Sequence, residues 1–437
     1  MNKKQIHLWQ PLPLADRPSG MNLLVVHHGF PGQYTHLIKL LCREGGHRIV
    51  GLGLRQKPTG IPAEVRYVPY QLRRGNTKGI HGLVRETETK VIRAQPCAEQ
   101  ALRLRQAGFM PDLICAHPGW GESLFLKDIW PNVPMLTYQE FFYNSSGSDV
   151  DFDPEFKQDH SWEYAATIRM KSANVLMSLE ASDWCLTPTQ FQYNSYPEHW
   201  RARISIIHDG IDTEQAVPLT DPAPLTLPGG ITLQPGTPLV TFVNRTLEPY
   251  RGCHTFLRAI PQLQQLMPEA RVVIVGRTEG VSYGSACPTG EWKDRFLSEI
   301  EGHYDASKIH FVGHLPYASY LHLLQLSRCH VYLTYPFVLS WSLLEAMSAG
   351  CAVVGSATAP VQEVVQDGVN GLLVDFFRPN DLATAMAELL AHPERGQLLG
   401  REARRTVVER YSLARCLPRQ RALLELVSSR TLNAGGL

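Results

Sequence analysis

The chain has 437 residues, 44% hydrophobic and 19% charged, with a formal net charge of +1. That length predicts about two to three globular domains, and the near-neutral balance removes any global field that would favour nucleic acid. No apolar run approaches the roughly 18 residues a membrane helix needs, and nine scattered cysteines without C-x-x-C or zinc spacing fit a reducing cytoplasm and plain buried thiols.

Residues 1–20 are polar and proline-rich and lack an apolar h-region, so they read as an extension rather than a signal peptide. Asn22–His28 reads as a buried strand that runs into the glycine-bearing turn Gly29–Tyr34 and a helix over Thr35–Glu44. Gly32 in that turn either lets backbone approach a ligand or only makes a tight strand–helix connection; the spacing is not G-x-G-x-x-G. Strands are expected at His47–Leu52 and Val65–Pro69. The stretch Gln71–Arg105 carries eight basic residues interleaved with Glu86, Glu88 and Glu99. It reads as a solvated helical face, or as a surface for an anionic acceptor or an acidic membrane.

Pro111–Ala116 is a further strand, and it delivers His117-Pro-Gly-Trp-Gly-Glu122. A histidine at the carboxyl end of a strand stands where open α/β sheets bind ligands, although a histidine bonding loop backbone is the alternative. A strand at Pro134–Thr137 precedes an aromatic, acidic loop over Gln139–Pro154. Strands at Trp184–Pro188 and Ile204–Ile207 lead to His208-Asp-Gly-Ile-Asp212.

Ala216–Pro238 is rich in proline, glycine and leucine and reads as a hinge region with an irregular entry to a second domain. The α/β alternation then restarts. Strands are expected at Leu239–Asn244, Arg271–Gly276, Ile309–Val312, His330–Thr334, Ala352–Gly355 and Gly371–Val374. Helices are expected near Gly252–Leu266, Tyr317–Leu326, Ser342–Ala349, Val361–Gln366 and Asn380–Ala391, with further helical segments from Glu394. The fold class is therefore α/β, with two doubly wound domains and a cleft between them. The expected division is 1–20, 21–213, 214–410 and a C-terminal helix, 411–437, packing back on the first domain.

Val331–Gly355 is the most informative stretch, reading strand, loop, short helix and strand. The unit points a helix N-terminus out of the carboxyl edge of a parallel sheet, where unpaired N–H groups bind anions. Glu345 belongs to its first turn on this reading. Ser342-x-x-Glu345 is either a capping box or a carboxylate placed to accept hydrogen bonds from sugar hydroxyls. Upstream, Asn244-Arg-Thr-Leu-Glu-Pro-Tyr-Arg-Gly252 follows the first strand of the second half. Its guanidiniums, Arg245 and Arg251, either converge on one anion such as a diphosphate or are a pair of surface arginines.

These motifs resemble the family 4 glycosyltransferases of GT-B type, whose fold is two Rossmann-like domains. The family pattern is a basic residue ending a strand and a second basic residue with glycine six to seven positions on, as in Arg245, Arg251 and Gly252. It continues in Leu343-Leu-Glu345-Ala-Met-Ser-Ala-Gly350 and in Pro360–Val374. His208–Asp212, Gly29–Gly32 and His117 also match. One departure stands out: the family's first signature glutamate, eight residues before the second, is Phe337 here.

The resemblance implies an acceptor domain first and a nucleotide-sugar domain second. It implies a retaining, metal-independent transfer of a hexose-type sugar to an acceptor hydroxyl by front-face attack, as in polysaccharide biosynthesis. Arg245 and Arg251 would stabilise the departing diphosphate, Glu345 would hold the ribose and His117 would contact the sugar. Donor contacts would come from Gly32, Asn244, Arg277, Val312, Gly313, Ser340, Trp341, Ser342 and Leu343. No cofactor is expected beyond a UDP- or GDP-linked donor. The acceptor would be a glycan, a lipid-linked group or a small molecule, and the location cytoplasmic, with peripheral contact at the inner membrane left open. A non-catalytic nucleotide-sugar-binding subunit is the rival of a different class, with a GT-B nucleotide-sugar epimerase as the rival enzyme.

Overall fold

The structure is a computed structural model that describes residues 20–54, 56, 58–156 and 161–430. Of the expected extension at 1–20, only Gly20 lies within the described residues. The chain forms two compact units. One takes the described residues of 1–145, 158–209 and 416–437, and the other those of 146–157 and 210–415.

The first unit is built on seven parallel strands: β1 (Asn22–Val26), β2 (Arg48–Gly53), β3 (Arg66–Pro69), β4 (Leu113–Ala116), β5 (Met135–Tyr138), β6 (Trp184–Thr187) and β7 (Ile204–Ile206). Their order across the sheet is β3-β2-β1-β4-β5-β6-β7. The inner strands are continuous apolar runs because helices bury both faces of such a sheet. Leu24 and Val26 pack with Ile114, Ala116 and with Cys97, Ala101 and Leu104 of the Arg85–Gln106 helix. The basic stretch is a face laced with ion pairs: Arg74 meets Glu88 at 2.9 Å, Lys90 meets Glu86 at 3.5 Å and Arg73 pairs with Glu99. The 20-residue helix Trp162–Ala181 had no clear sequence signal. Its apolar residues form no single stripe, since Ile168, Val175 and Leu179 are buried while Trp162 and Met177 are exposed.

The second unit opens with a hairpin, β8 (Leu225–Thr226) and β9 (Thr232–Leu233), and then forms a six-stranded parallel sheet. Its strands are β10 (Leu239–Thr246), β11 (Arg271–Arg277), β12 (Ile309–Gly313), β13 (Cys329–Tyr332), β14 (Val353–Ser356) and β15 (Leu372–Val374), in the order β12-β11-β10-β13-β14-β15. Phe242 of β10 stacks on Phe256 of the following helix at 4.2 Å, which anchors that helix to the sheet. Residues 216–238 are not a free linker. The carbonyl of Ala216 accepts from Ser348 Oγ at 2.5 Å and Arg404 Nη1 at 3.0 Å, and the boundary between units falls at Asp209–Gly210.

Both sheets reverse direction of winding once, between β1 and β4 and between β10 and β13. Loops that leave such neighbouring strands diverge, and the crevice at their carboxyl ends is where open α/β sheets take ligands. The predicted turns Gly29–Gly32 and His117–Glu122 follow β1 and β4. Arg245 lies in the end of β10, and the stretches Leu247–Gly252 and Leu333–Ser340 follow β10 and β13.

Candidate functional site

At the edge of the second sheet, β10 runs through Arg245 to Thr246, with its register broken between Val243 and Thr246. The chain turns through Pro249–Arg251 into Gly252, which has φ +69°. A Cβ on Gly252 would lie 2.4 Å from the Leu333 Cβ, so only glycine lets this turn press against the chain leaving β13. That contact seats Arg251. Its Nη1 donates to Thr334 Oγ1 at 2.8 Å, the Val338 carbonyl at 2.9 Å and Tyr332 Oη at 3.2 Å. The guanidinium lies 4.8 Å from the Tyr283 ring centre and 5.7 Å from that of Phe337. Arg251 is only 4% exposed and has no ion pair among the described residues. A buried cation without a carboxylate is costly unless an anion joins it.

The two arginines thus occupy different environments. Arg245 is exposed and pairs with no acidic side chain among the described residues. Asn244 beside it has a buried Nδ2 with no hydrogen-bond partner. Arg277 ends β11, and its Nη2 donates to Thr246 Oγ1 at 3.1 Å. Gly313, with φ +64°, ends β12 after buried Val312.

The loop after β13 is held from below, where Tyr332 Oη accepts from the Ser340 N–H at 2.8 Å. The helix that follows spans Trp341–Ser348, one residue earlier than its sequence suggests. Ser340 is its cap, accepting from the Ser342 N–H at 3.3 Å. Ser342 and Glu345 therefore form no capping box. Glu345 lies in the second turn, where its oxygens accept from Tyr317 Oη at 2.8 Å and Tyr320 Oη at 2.9 Å. Burial pushes its carboxyl above the usual range, and the two phenols pull the other way. Trp341, Ser342 and Leu343 form the first turn of an eight-residue helix, with the Ser342 N–H already capped by Ser340.

Phe337, at the place of the first signature glutamate, is buried against Tyr250 at 5.2 Å and Tyr283 at 5.4 Å. Three carboxylates outside the expected set, Glu248, Asp153 and Asp149, organise this ring cluster. Glu248 accepts from the backbone N–H groups of Ser282, Tyr283 and Gly284 at 2.9–3.1 Å, fixing the loop after β11. Asp153, from the 146–157 segment that joins this unit, accepts from Tyr335 Oη at 2.7 Å and meets His254 Nε2 at 3.1 Å. Asp149 of the same segment accepts from Tyr250 Oη. The segment therefore braces the aromatic side chains that surround Arg251.

At the edge of the first sheet, His27 and His117 are the first residues beyond β1 and β4, whose last residues, Val26 and Ala116, are register partners. The two rings lie 5.1 Å apart, and His117 also stacks on Tyr138 at 5.4 Å. Each Nδ1 accepts from a glycine N–H two residues on, Gly29 at 3.0 Å and Gly119 at 3.1 Å. Burial drives both below the ordinary histidine range, His27 to about 4 and His117 further, with His27, Lys90 and His28 adding to the effect on His117. A Cβ at Gly32, φ +52°, would meet the His27 ring at 2.3 Å, so glycine is needed here to pack the turn onto the histidine.

Residues 45–216 match the glycosyl transferase family 4 group, and residues 230–406 match the glycosyl transferases group 1. Each half of the chain thus matches a glycosyltransferase family. Among the relatives of this glycosyltransferase are an uncharacterized glycosyltransferase of Methanocaldococcus jannaschii, 26% identical over 42% of this chain and 44% of that one, and the D-inositol 3-phosphate glycosyltransferase of Mycolicibacterium vanbaalenii, 27% identical over 51% and 49%. The chain thus spans about half the length of these curated relatives. The enzyme of that same name from Kribbella flavida is 24% identical over 90% of this chain and 92% of its own. Among solved structures, a sucrose-phosphate synthase from Thermosynechococcus elongatus superposes with TM-score 0.67 and 16% identity, covering 94% of this chain and 100% of that one. The catalytic domain of Arabidopsis thaliana starch synthase IV, bound to ADP and acarbose, gives 0.64 and 16% over 94% and 100%. Anabaena HepE in complex with UDP and glucose gives 0.62 and 14% over 93% and 99%. These likenesses show the GT-B fold class. No helix among the described residues is long and apolar enough to cross a membrane.

Proposed function

We propose that this glycosyltransferase moves a hexose-type sugar from a nucleotide diphosphate to an acceptor hydroxyl, with retention at the anomeric carbon and without a metal. Arg251 carries the reading: it is a buried cation with no carboxylate in ion-pair range among the described residues, at the switch point of the second sheet and beside the loop that opens the Trp341–Ser348 helix. A diphosphate supplies the missing negative charge. As the sugar leaves, charge grows on the phosphate oxygen, and fixed donors there lower the barrier. Arg251 holds one phosphate, exposed Arg245 and the Asn244 amide the other, and the N-terminus of the Trp341–Ser348 helix assists. Glu345 binds the ribose hydroxyls. In front-face attack the departing phosphate takes the acceptor proton, so no general base is required. The same relatives that support the nucleotide sugar leave its base open, since UDP and ADP occur in the complexes above.

Phe337 favours one rival, a subunit that binds a nucleotide sugar without turnover, because the usual carboxylate for the sugar is missing. Release of free nucleotide from UDP-, GDP- and ADP-linked hexoses separates the two. Steady release that stops in Arg251→Met supports the transferase. Tight binding of a donor with no release in the presence of water, glycerol or glycan acceptors supports the binding subunit instead.

A further inference from the structure

The second unit has a hollow at the other end of its sheet. Arg328 and Ala352, the residues just before β13 and β14, line it, so it opens at the amino edge. The crevice beside Arg251 lies at the opposite, carboxyl edge. The hollow measures about 900 Å³, within the span of about 300–1,000 Å³ usual for small-molecule sites. One face of the Pro393–Arg410 helix forms one wall, and residues 218–222 and 235–236 supply another. The helix stands close to the chain entering β14 because it presents no side chain there: a Cβ on Gly400 would lie 2.1 Å from the Gly350 carbonyl oxygen. Arg404, one turn on, fastens the walls together. Its Nη1 donates to the Ser348 carbonyl at 2.7 Å and the Ala216 carbonyl at 3.0 Å, and its Nη2 to the Thr213 carbonyl at 3.2 Å.

The charge of this hollow is not balanced from within. Four arginines line it, Arg328, Arg401, Arg404 and Arg405, against two acids, Asp221 and Glu409. Arg405 pairs with Glu402, and Arg404 is taken up by its three carbonyls. Arg328 and Arg401 have no carboxylate in ion-pair range and no hydrogen-bond acceptor among the described residues. A partnerless arginine in open solvent is ordinary, but Arg328 is half-buried and gives up part of its hydration with no protein acceptor in return. Its guanidinium reaches the 235–236 turn, where a Cβ on Gly236 would lie 3.9 Å from its Nη2. The two free forks come from different elements, one from the turn into β13 and one from the long helix. Such a pair in a concave site is matched by a phosphate, whose oxygens accept from both forks at once. Asp221 and Glu409 also lack partners among the described residues, and they accept from hydroxyls. A bare anion would leave most of the 900 Å³ unfilled.

We propose that this hollow is a second small-molecule site that takes a phosphorylated polyol, the phosphate between Arg328 and Arg401 and the hydroxyls donating to Asp221 and Glu409. Arg404 is then a positioning residue that holds the walls. The site does not rest on the transferase reading, since it shares no side chain with the crevice at the carboxyl edge.

The test is calorimetric titration of the full chain with ribose 5-phosphate and sorbitol 6-phosphate, beside ribose, sorbitol and inorganic phosphate. It is run on the wild type, Arg401→Glu, Arg401→Lys and Arg328→Gln, with Arg43→Glu, an exposed arginine of the first unit, as the control for overall charge. The expected result is saturable binding of at least one phosphorylated probe. That binding should weaken about tenfold or more in Arg401→Glu and Arg328→Gln, by less in Arg401→Lys, and not in Arg43→Glu. The matching sugar or polyol and inorganic phosphate should each bind about tenfold more weakly than the phosphorylated probe. Arg401 is exposed, so its variants should keep the urea midpoint of the wild type, and their loss of binding is then no loss of fold. No saturable binding of either phosphorylated probe overturns the proposal. So does binding as tight in Arg401→Glu as in the wild type, or inorganic phosphate bound as tightly as the phosphorylated probes.

Discussion

The two sheet edges treat their polar groups in opposite ways. At the second edge nearly every charged side chain is already held by protein: Arg251 by Tyr332, Thr334 and Val338, Glu345 by Tyr317 and Tyr320, Glu248 by three amides. What is missing there is a direct partner: Arg251 has no carboxylate in ion-pair range among the described residues, although buried Glu248 acts on it from further off. At the first edge the imbalance is in hydrogen bonds: the buried Nε2 of His117, Tyr34 Oη and Glu122 Oε2 have no partner. The contrast suits two kinds of partner, since a diphosphate answers a buried cation and hydroxyls answer unpaired hydrogen-bonding atoms. It also separates rigidity from function: Arg251 is fixed so tightly because a buried guanidinium that moved would lose three acceptors at once.

The largest expected effect follows from that missing partner of Arg251. Arg251→Met keeps the volume and removes the charge, and nucleotide diphosphate affinity should fall at least about a hundredfold, about 3 kcal/mol, because the anion is left buried and unmatched. Folding stability should fall by about 1–3 kcal/mol, since the Thr334, Val338 and Tyr332 oxygens lose a buried donor. Calorimetric binding beside urea unfolding checks both. A variant whose affinity holds while its stability drops would make Arg251 a structural pin and erase the contrast.

Arg245→Ala should cost about tenfold in the same affinity, with stability within about 0.5 kcal/mol of the wild type, as for an exposed side chain without a protein partner. An equal loss of stability would show that Arg245 serves the fold. Glu345→Gln should weaken nucleotide binding by about fivefold near pH 7 and flatten its pH dependence. The wild-type carboxyl has a raised pKa, so protonation on acidification begins at a higher pH than for an ordinary glutamate and removes the acceptor for ribose. Affinity therefore falls as pH is lowered through that value in the wild type and stays level in the variant.

The smallest effect sharpens the role of the 146–157 brace. Burial alone would raise the Asp153 carboxyl, but hydrogen bonds from His254 and Tyr335 outweigh it and hold it below the usual aspartate range. A lowered pKa stabilises the fold above the unfolded value, about 3.9, and that contribution is lost as pH falls through the folded value. Asp153→Asn should cost about 1 kcal/mol at pH 7, and the gap to the wild type should close in acid. Nucleotide affinity should drop only about twofold, because the loop keeps its Tyr332 and Arg251 contacts.

Much of the architecture was legible because buried parallel strands are short apolar runs bounded by glycine and proline. β10 to β15 fall within one or two residues of the runs that predict them. The helix at Tyr317–Leu326 coincides with its expected bounds. Helices without an apolar stripe were not legible: Trp292–Glu299 buries only Trp292 and Phe296. Phe337 is visible as a departure in sequence, but its ring cluster is not. The burial of Arg251 depends on Thr334, 83 residues away, so no local window contains it. One signal does lie in the sequence, the repeated His-x-Gly at His27–Gly29 and His117–Gly119, and it marks the paired rings at the first switch point.

The most direct measurement is thermal stability of the wild type and Arg251→Met against UDP, GDP, ADP and TDP. A ligand at a hundred times its Kd stabilises the state it binds by about 2.7 kcal/mol. The account predicts a clear rise in Tm with at least one nucleotide in the wild type and none in the variant. A wild type indifferent to all four, or a variant stabilised as strongly as the wild type, would contradict it.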